Sequence, residues 1–86
     1  MDLSTITVNQ AVRMRTNELL KKYNMTQYRL EQNSGLSHSR LGCIMKDKNK
    51  TVTLTTVIML AQGFNMSLVE FLSSPFFTPE RLKDID

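Results

Sequence analysis

The sequence predicts an all-α fold in a single small domain. Its 86 residues leave room for one hydrophobic core but not for two. Five segments each begin at or near a serine or threonine that can cap a helix, and glycine or asparagine separates them. Strand signals are poor, because the one β-branched stretch, residues 51–58, alternates only loosely and merges with a helical pattern of apolar residues.

The first predicted helix covers about residues 8–23, with Thr7 as its N-cap. Asn24 is suited to the left-handed conformation that ends many helices. One face of this helix is apolar and is expected to point inward. That face consists of Val12, Leu19, Leu20 and Tyr23.

The second and third predicted helices are short and are joined by a tight turn. They cover about residues 26–33 and 37–45, with Thr26 and Ser37 as their caps. Gly35 lies between them. We expect it to end the second helix, because so abrupt an end needs a residue that tolerates a positive φ. The apolar residues that dock these two helices are Leu30, Leu36, Leu41 and Ile44.

The fourth predicted helix begins after Thr53 as its N-cap and ends near Asn65, a second asparagine suited to the left-handed conformation. Gly63 lies inside its last turn, where glycine costs roughly 1 kcal/mol relative to alanine. This helix carries the widest apolar face of the chain. The face consists of Leu54, Val57, Ile58, Leu60, Ala61 and Phe64.

The last twenty residues combine a fifth helix with an aromatic tail. Ser67 and Glu70 have the spacing of a capping box and open a helix over residues 68–72, which Pro75 ends. Residues 78–80 have the cap, first-turn proline and first-turn acid of a short terminal turn. The tail either wraps back over the first and fifth helices or offers an apolar patch to a second subunit. Its apolar side chains are Phe71, Leu72, Phe76, Phe77, Leu82 and Ile85.

The net charge of +3 is concentrated in the middle of the chain. Residues 35–50 hold four basic side chains against one acidic side chain, whereas residues 51–86 hold two basic against four acidic. A solvated lysine-rich loop explains the basic segment as well as a polyanionic partner does, if charge alone is considered. The distribution therefore directs attention to the third helix and the loop that follows it.

The composition argues against several classes of function. No apolar run approaches the roughly 18 residues of a membrane span, and we expect no cleaved signal peptide and no membrane partner. The single cysteine, Cys43, suits a reducing cytosol. The single histidine, His38, and the scattered carboxylates give neither a nucleophile–base pair nor the spacing of metal ligands. We therefore expect no enzyme, no metal site and no cofactor.

The sequence motifs around the turn carry a family resemblance. Two short helices joined by a tight glycine-containing turn are the layout of a helix-turn-helix. Thr-Gln opens the second helix at residues 26–27, Gly-Leu-Ser stands at residues 35–37, and Leu-Ala-Gln-Gly-Phe-Asn-Met-Ser occupies residues 60–67. Over residues 25–46 and 53–72 the sequence resembles the Cro/CI-type (XRE) helix-turn-helix family.

The resemblance implies a compact five-helix, lambda-repressor-like DNA-binding domain. This domain would occupy residues 1–72, with the helix-turn-helix at about residues 26–45, and residues 73–86 would form a short C-terminal extension used for dimerisation or wrapped back on the domain. The third helix would lie in the major groove of double-stranded DNA while the second helix crosses the backbone.

The resemblance also implies which residues contact DNA. His38 and Ser39 would read base edges, since each can donate or accept a hydrogen bond. Gly42 and Cys43 are small enough to lie against a thymine methyl group or to allow a close approach. Most of the remaining residues would contact phosphate or sugar. The full predicted set is Gln27, Tyr28, Ser37, His38, Ser39, Arg40, Gly42, Cys43, Lys46, Lys48, Asn49 and Lys50.

Three positions depart from the pattern of the family. Glu31 stands where the family usually has alanine, and its carboxylate is expected to reach solvent. Met45 stands where the family often has glutamate. The loop over residues 46–52 lacks the usual glycine and proline.

These features predict a sequence-specific transcription regulator of prokaryotic or phage type, repressor-like and cytoplasmic. We expect a homodimer on a pseudo-palindromic operator, because operators of this family usually have that symmetry. The alternative is a protein-interaction or antitoxin-like module on the same fold, which the apolar C-terminal third motivates.

Overall fold

Five α-helices and one 3-10 turn form the part of the chain that the computed structural model describes, residues 6–46 and 52–82. The all-α prediction is confirmed, and each helix begins at the predicted residue. No helix in this part of the chain is long and apolar enough to cross a membrane. The elements are α1 (Val8–Lys22), α2 (Gln27–Ser34), α3 (His38–Met45), α4 (Leu54–Gly63), α5 (Leu68–Leu72) and the 3-10 turn Pro75–Phe77.

Each α-helix is preceded by a serine or threonine N-cap, whose hydroxyl accepts a hydrogen bond from the backbone N–H three residues later. This bond satisfies one of the N–H groups that the first helical turn leaves unpaired. At Thr7 and Ser67 the third residue also reaches back, so Gln10 and Glu70 complete capping boxes. All five predicted N-caps are therefore confirmed: Thr7, Thr26, Ser37, Thr53 and Ser67.

The predicted left-handed residues end or follow their helices as expected. Asn24, Gly35 and Asn65 have φ angles of 51°, 82° and 57°. Glycine and asparagine are the residues that adopt this conformation at least cost. Gly35 is the C-cap of α2, and its N–H donates to the carbonyl oxygen of Glu31. The turn that separates α2 from α3 is thus built from local backbone preferences.

The hydrophobic core joins all five helices, and α2 packs chiefly against α4. At one end of this contact the amide of Asn33 donates to the carbonyl oxygen of Gly63 over 3.4 Å. Four methionines fill gaps at the edge of the core, namely Met25, Met45, Met59 and Met66. The buried members are Val12, Leu19, Leu20, Leu30, Leu36, Leu41, Ile44, Val57, Leu60, Ala61, Phe64 and Phe71.

Three apolar residues predicted to face inward lie at the surface instead. Leu54 and Ile58 of α4 are 62% and 36% exposed. They lie one helical turn apart, beside the stripe of α4 that packs on α2, so the apolar face of this helix is wider than the neighbour that covers it. Tyr23 follows the last residue of α1 and is also exposed, with its ring centroid 6.3 Å from that of Phe64.

Arg15 fastens α1 to the end of α5. Its Nε and Nη2 atoms donate to the carbonyl oxygens of Phe71 and Glu70, both over 2.8 Å. These carbonyls belong to the last turn of α5, where helical partners run out. Nη1 forms an ion pair with Glu18 over 2.7 Å, and the guanidinium lies 6.0 Å from the centroid of the Phe71 ring. One of the basic residues of the chain is therefore committed to holding the fold together.

The segment after α5 lies against α1. Phe77 packs on the core, with its ring centroid 6.2 Å from that of Phe71. Further along, the Ile6 N–H donates to the carbonyl oxygen of Arg81, and Ile6 and Leu82 form an isolated parallel bridge. A turn follows where the sequence predicts one, at residues 78–81, and the Arg81 N–H donates to the carbonyl oxygen of Thr78 over 2.9 Å. The Thr78 side chain is not its cap, because its hydroxyl donates back to the carbonyl oxygen of Pro75 over 3.0 Å.

Candidate nucleic-acid interface

The helix-turn-helix buries one face of α3 and leaves the other open. Leu41 and Ile44 are buried in the core, as is Leu36 in the turn. The Leu36 N–H donates to the hydroxyl of Ser34 over 3.1 Å, which ties the turn to the end of α2. Because both ends of this turn are packed, α3 is held at a fixed angle on α2. The side of α3 opposite its core residues is available to a partner.

The outward face of α3 brings five of the predicted residues together. These five residues line one shallow hollow. His38, Ser39 and Lys46 are exposed, and Gly42 and Cys43 are half-buried. Their spacing of three and four residues places them on one side of a helix. A Cβ atom added to Gly42 would meet no atom within 4 Å, so nothing in the domain itself fills the space above it.

Arg40 lies in a second open cleft, between α3 and the start of α4. The cleft is about 380 Å³ in volume. The Arg40 guanidinium reaches the Thr56 hydroxyl over 3.5 Å, and the hydroxyls of Thr53 and Thr56 lie 2.9 Å apart. These two threonines are not among the residues that the sequence predicts for the site. The signal that could have found them is the cap position of Thr53, because the first turn of α4 lies beside α3. The cleft is lined by Ser37, Ser39, Arg40, Cys43, Val52, Thr53 and Thr56.

Of the remaining predicted residues, those that the structure describes do not lie on the outward face of α3. Gln27 and Tyr28 are exposed in the first turn of α2 and line neither hollow of α3. Ser37 caps α3 and accepts the Arg40 N–H over 3.2 Å, so its hydroxyl is already engaged by the helix it starts. Three predicted phosphate contacts, Lys48, Asn49 and Lys50, lie outside the described residues.

The Glu31 side chain is largely covered, contrary to the prediction that its carboxylate reaches solvent. Its Oε2 atom lies 2.7 Å from Nδ1 of His38, and only 11% of its side chain is exposed, against 91% for His38. The tight turn at Gly35 brings the first residue of α3 over the last turn of α2, so two residues seven apart in sequence meet. The carboxylate at this crossing is therefore paired by the neighbouring ring.

The described residues hold a free thiol and no cluster of potential metal ligands. Over residues 6–46 and 52–82, no group of three histidine, cysteine, aspartate or glutamate side chains is arranged to hold a metal ion. Cys43 is a free, half-buried thiol within the outward face of α3. The arrangement offers hydrogen-bonding side chains on a rigid helix with cations close by, which suits recognition of a polyanion.

Comparison with known proteins supports the same assignment. A sequence model of the Cro/C1-type HTH DNA-binding domain matches residues 15–75, which include the second half of α1 and all of α2 to α5. The resemblance predicted from the motifs is thereby confirmed. No curated protein and no solved structure gives a significant match to the chain.

Proposed function

Because the chain belongs to the Cro/C1-type HTH DNA-binding domain family, we propose that it regulates transcription by binding a specific duplex sequence, with α3 in the major groove. The observation that carries the proposal is the division of α3 into a buried face and an open face of hydrogen-bonding residues. An α-helix fits the major groove of B-DNA, where each base pair presents a distinct set of donors and acceptors.

Base recognition falls to the exposed start of α3. His38 and Ser39 are its first two residues, and in a helix-turn-helix the N-terminal part of the recognition helix meets the base edges. Gly42 lies one turn later, and the open space above it would let the helix approach the bases closely. Cys43 beside it would offer a small apolar surface to a thymine methyl group.

The residues that we assign to phosphate contacts lie around those that would contact the bases. Arg40 faces the cleft at the start of α4, where the unpaired N–H groups of a ten-residue helix favour an anion. Lys46 extends the positive surface at the end of α3, and Gln27 with Tyr28 contributes from the start of α2. We assign Ser37, Lys48, Asn49 and Lys50 to the same role, which the sequence motivates.

We extend the proposal to a repressor that acts as a homodimer in the cytoplasm of a prokaryote or on phage DNA, on a pseudo-palindromic operator. We assign DNA recognition to residues 1–72 and a supporting role to residues 73–86. Dimerisation would use apolar side chains that the protomer leaves at its surface, a role that exposed apolar surface commonly has. The candidates are Leu54, Ile58, Val69 and Leu72.

The protein-interaction alternative rests on the apolar C-terminal third. Phe71 is fully buried and Phe77 packs against it within the protomer, so neither ring is presented to a partner as a free surface. Val69 and Leu72 of the same third are exposed and would have to supply that surface.

Selection of bound duplexes from a random pool tests the proposed function. We expect an enriched site with two-fold symmetry, and an affinity that falls steeply as salt concentration rises, because counterions are released when lysine and arginine neutralise phosphates. A pool that shows no enrichment, or an affinity that does not respond to salt, would reject sequence-specific DNA binding.

A further inference from the structure

Glu31 and His38 form a contact between the two helices of the helix-turn-helix in which one partner is covered and the other is open. The Oε2–Nδ1 distance is 2.7 Å, and the exposed fractions of the two side chains are 11% and 91%. Leu30 and Ser34, the neighbours of Glu31 on α2, are both buried. The carboxylate therefore projects from a fixed part of the helix toward a ring that has few other contacts.

The contact decides which ring nitrogen is free. An ionised carboxylate has no hydrogen to donate, so a hydrogen bond at this distance places the hydrogen on Nδ1 of His38. Nε2 is then the ring nitrogen left for an outside partner. The ring is also held in one orientation before any partner arrives, which reduces the conformational entropy lost when it binds.

We propose that Glu31 is a positioning residue for base recognition, which orients His38 so that Nε2 alone meets a base edge in the major groove. This inference rests on the proposed function, because it assumes that α3 reads DNA. Held in this way, a neutral ring accepts from the amino group of adenine or cytosine, and a charged ring donates to guanine or thymine. Without Glu31 the ring can rotate and present either nitrogen, so the preference for one base should weaken.

A second role for Glu31 would give a different outcome. If the carboxylate served only to stabilise the turn, its removal would lower the free energy of unfolding and leave the base preference of the folded protein unchanged. If it acted only as a negative charge near DNA, its removal would raise affinity for all duplexes equally. Base preference at a single position separates positioning from both of these roles.

The experiment compares selected duplexes for the wild-type chain and four variants: Glu31→Ala, Glu31→Gln, His38→Ala and the double variant Glu31→Ala with His38→Ala. We expect His38→Ala to reduce discrimination at one base-pair position in each half-site by about 5-fold to 150-fold. Glu31→Ala should weaken discrimination at that same position. The double variant should discriminate no worse than His38→Ala alone, because the two residues act through one contact.

Glu31→Gln provides the matched control. Its amide oxygen can still accept from Nδ1 of His38, so base preference should be kept, while affinity for all duplexes rises because a negative charge is lost. The inference is overturned if Glu31→Ala keeps the wild-type preference, or if its effect adds to that of His38→Ala.

A measurement on the free protein separates this inference from the proposed function. Nitrogen NMR of the His38 ring should find the hydrogen on Nδ1 in the wild-type chain and a changed distribution in Glu31→Ala. If the wild-type chain selects an operator but Nδ1 carries no hydrogen, the inference fails and the proposed function stands. If no duplex is selected, the proposed function and the inference fail together, whatever the NMR result.

Discussion

Gly63 of α4 and Leu30 of α2 meet so closely that residue 63 has no room for a side chain. A Cβ atom on Gly63 would lie 2.6 Å from Cδ1 of Leu30 and 2.9 Å from Cβ of Ser34. Glycine inside a helix costs roughly 1 kcal/mol relative to alanine, and the close approach of α2 and α4 that Gly63 permits offsets this cost. Since α2 is the first helix of the helix-turn-helix, this contact also sets where α3 stands.

Replacing Gly63 by alanine is expected to destabilise the protein. Overpacking a tight contact costs roughly 1–3 kcal/mol, and we expect this cost to exceed the gain of about 1 kcal/mol in helix propensity, because Cβ of Ser34 is fixed to the backbone of α2 and cannot move aside. Thermal unfolding should show a lower Tm. Gly42→Ala is the matched control, because it is also helical and has open space around it, and it should raise the Tm. A Tm for Gly63→Ala at or above that of Gly42→Ala would contradict the close contact.

Replacing Arg15 by alanine should lower the free energy of unfolding. It should leave the salt dependence of DNA affinity unchanged in the folded protein. Two hydrogen bonds from the guanidinium to carbonyl oxygens of α5 are lost, and bonds from a charged donor are worth about 1.5–3 kcal/mol. Chemical denaturation measures the loss. Lys21→Ala, an exposed cation on the same helix, should change stability by less than about 0.5 kcal/mol. Equal losses in the two variants would refute the anchoring role of Arg15.

Replacing Arg40 by alanine should weaken binding to all duplexes. Loss of one phosphate contact reduces the slope of log affinity against log salt by about one. Titrations at several salt concentrations give that slope directly. Arg40→Lys keeps the charge and should keep the slope, although a lysine cannot reproduce the planar, forked geometry of the guanidinium. The phosphate role is ruled out if Arg40→Ala and the wild-type chain have the same slope.

Replacing Phe77 by alanine should loosen the C-terminal segment from α1 and α5. The ring packs on the core beside Phe71, and partial loss of such a contact should cost on the order of 1–3 kcal/mol. Denaturation midpoints measure this loss. Phe76→Ala is the control, since Phe76 is also half-buried but is not among the residues packed on the core, and its effect should be smaller. A larger effect for Phe76 would mean that the tail is held by the other ring.

Local features were predictable because their causes lie within a few residues of each other. The cap at Ser37 and the left-handed Gly35 follow from hydrogen bonds and backbone sterics that span three or four positions. The turn at residues 78–81 was also predictable, because a threonine before proline and glutamate is a local turn pattern. The use of the Thr78 hydroxyl was not, since it donates back to the carbonyl oxygen of Pro75 in a 3-10 turn that was not predicted from the sequence.

The sequence by itself determined the class of fold, the start of every α-helix and the helix-turn-helix, because each of these follows from short-range periodicity and capping. It also indicated the family, through the resemblance of its motifs to those of known members. Only the tertiary structure decided how particular side chains are used. Pairing of Glu31 with His38, burial of Arg15 against α5 and exposure of Leu54 depend on which elements meet in space. Such contacts join residues far apart along the chain or across a turn, and no pattern of neighbouring residues encodes them.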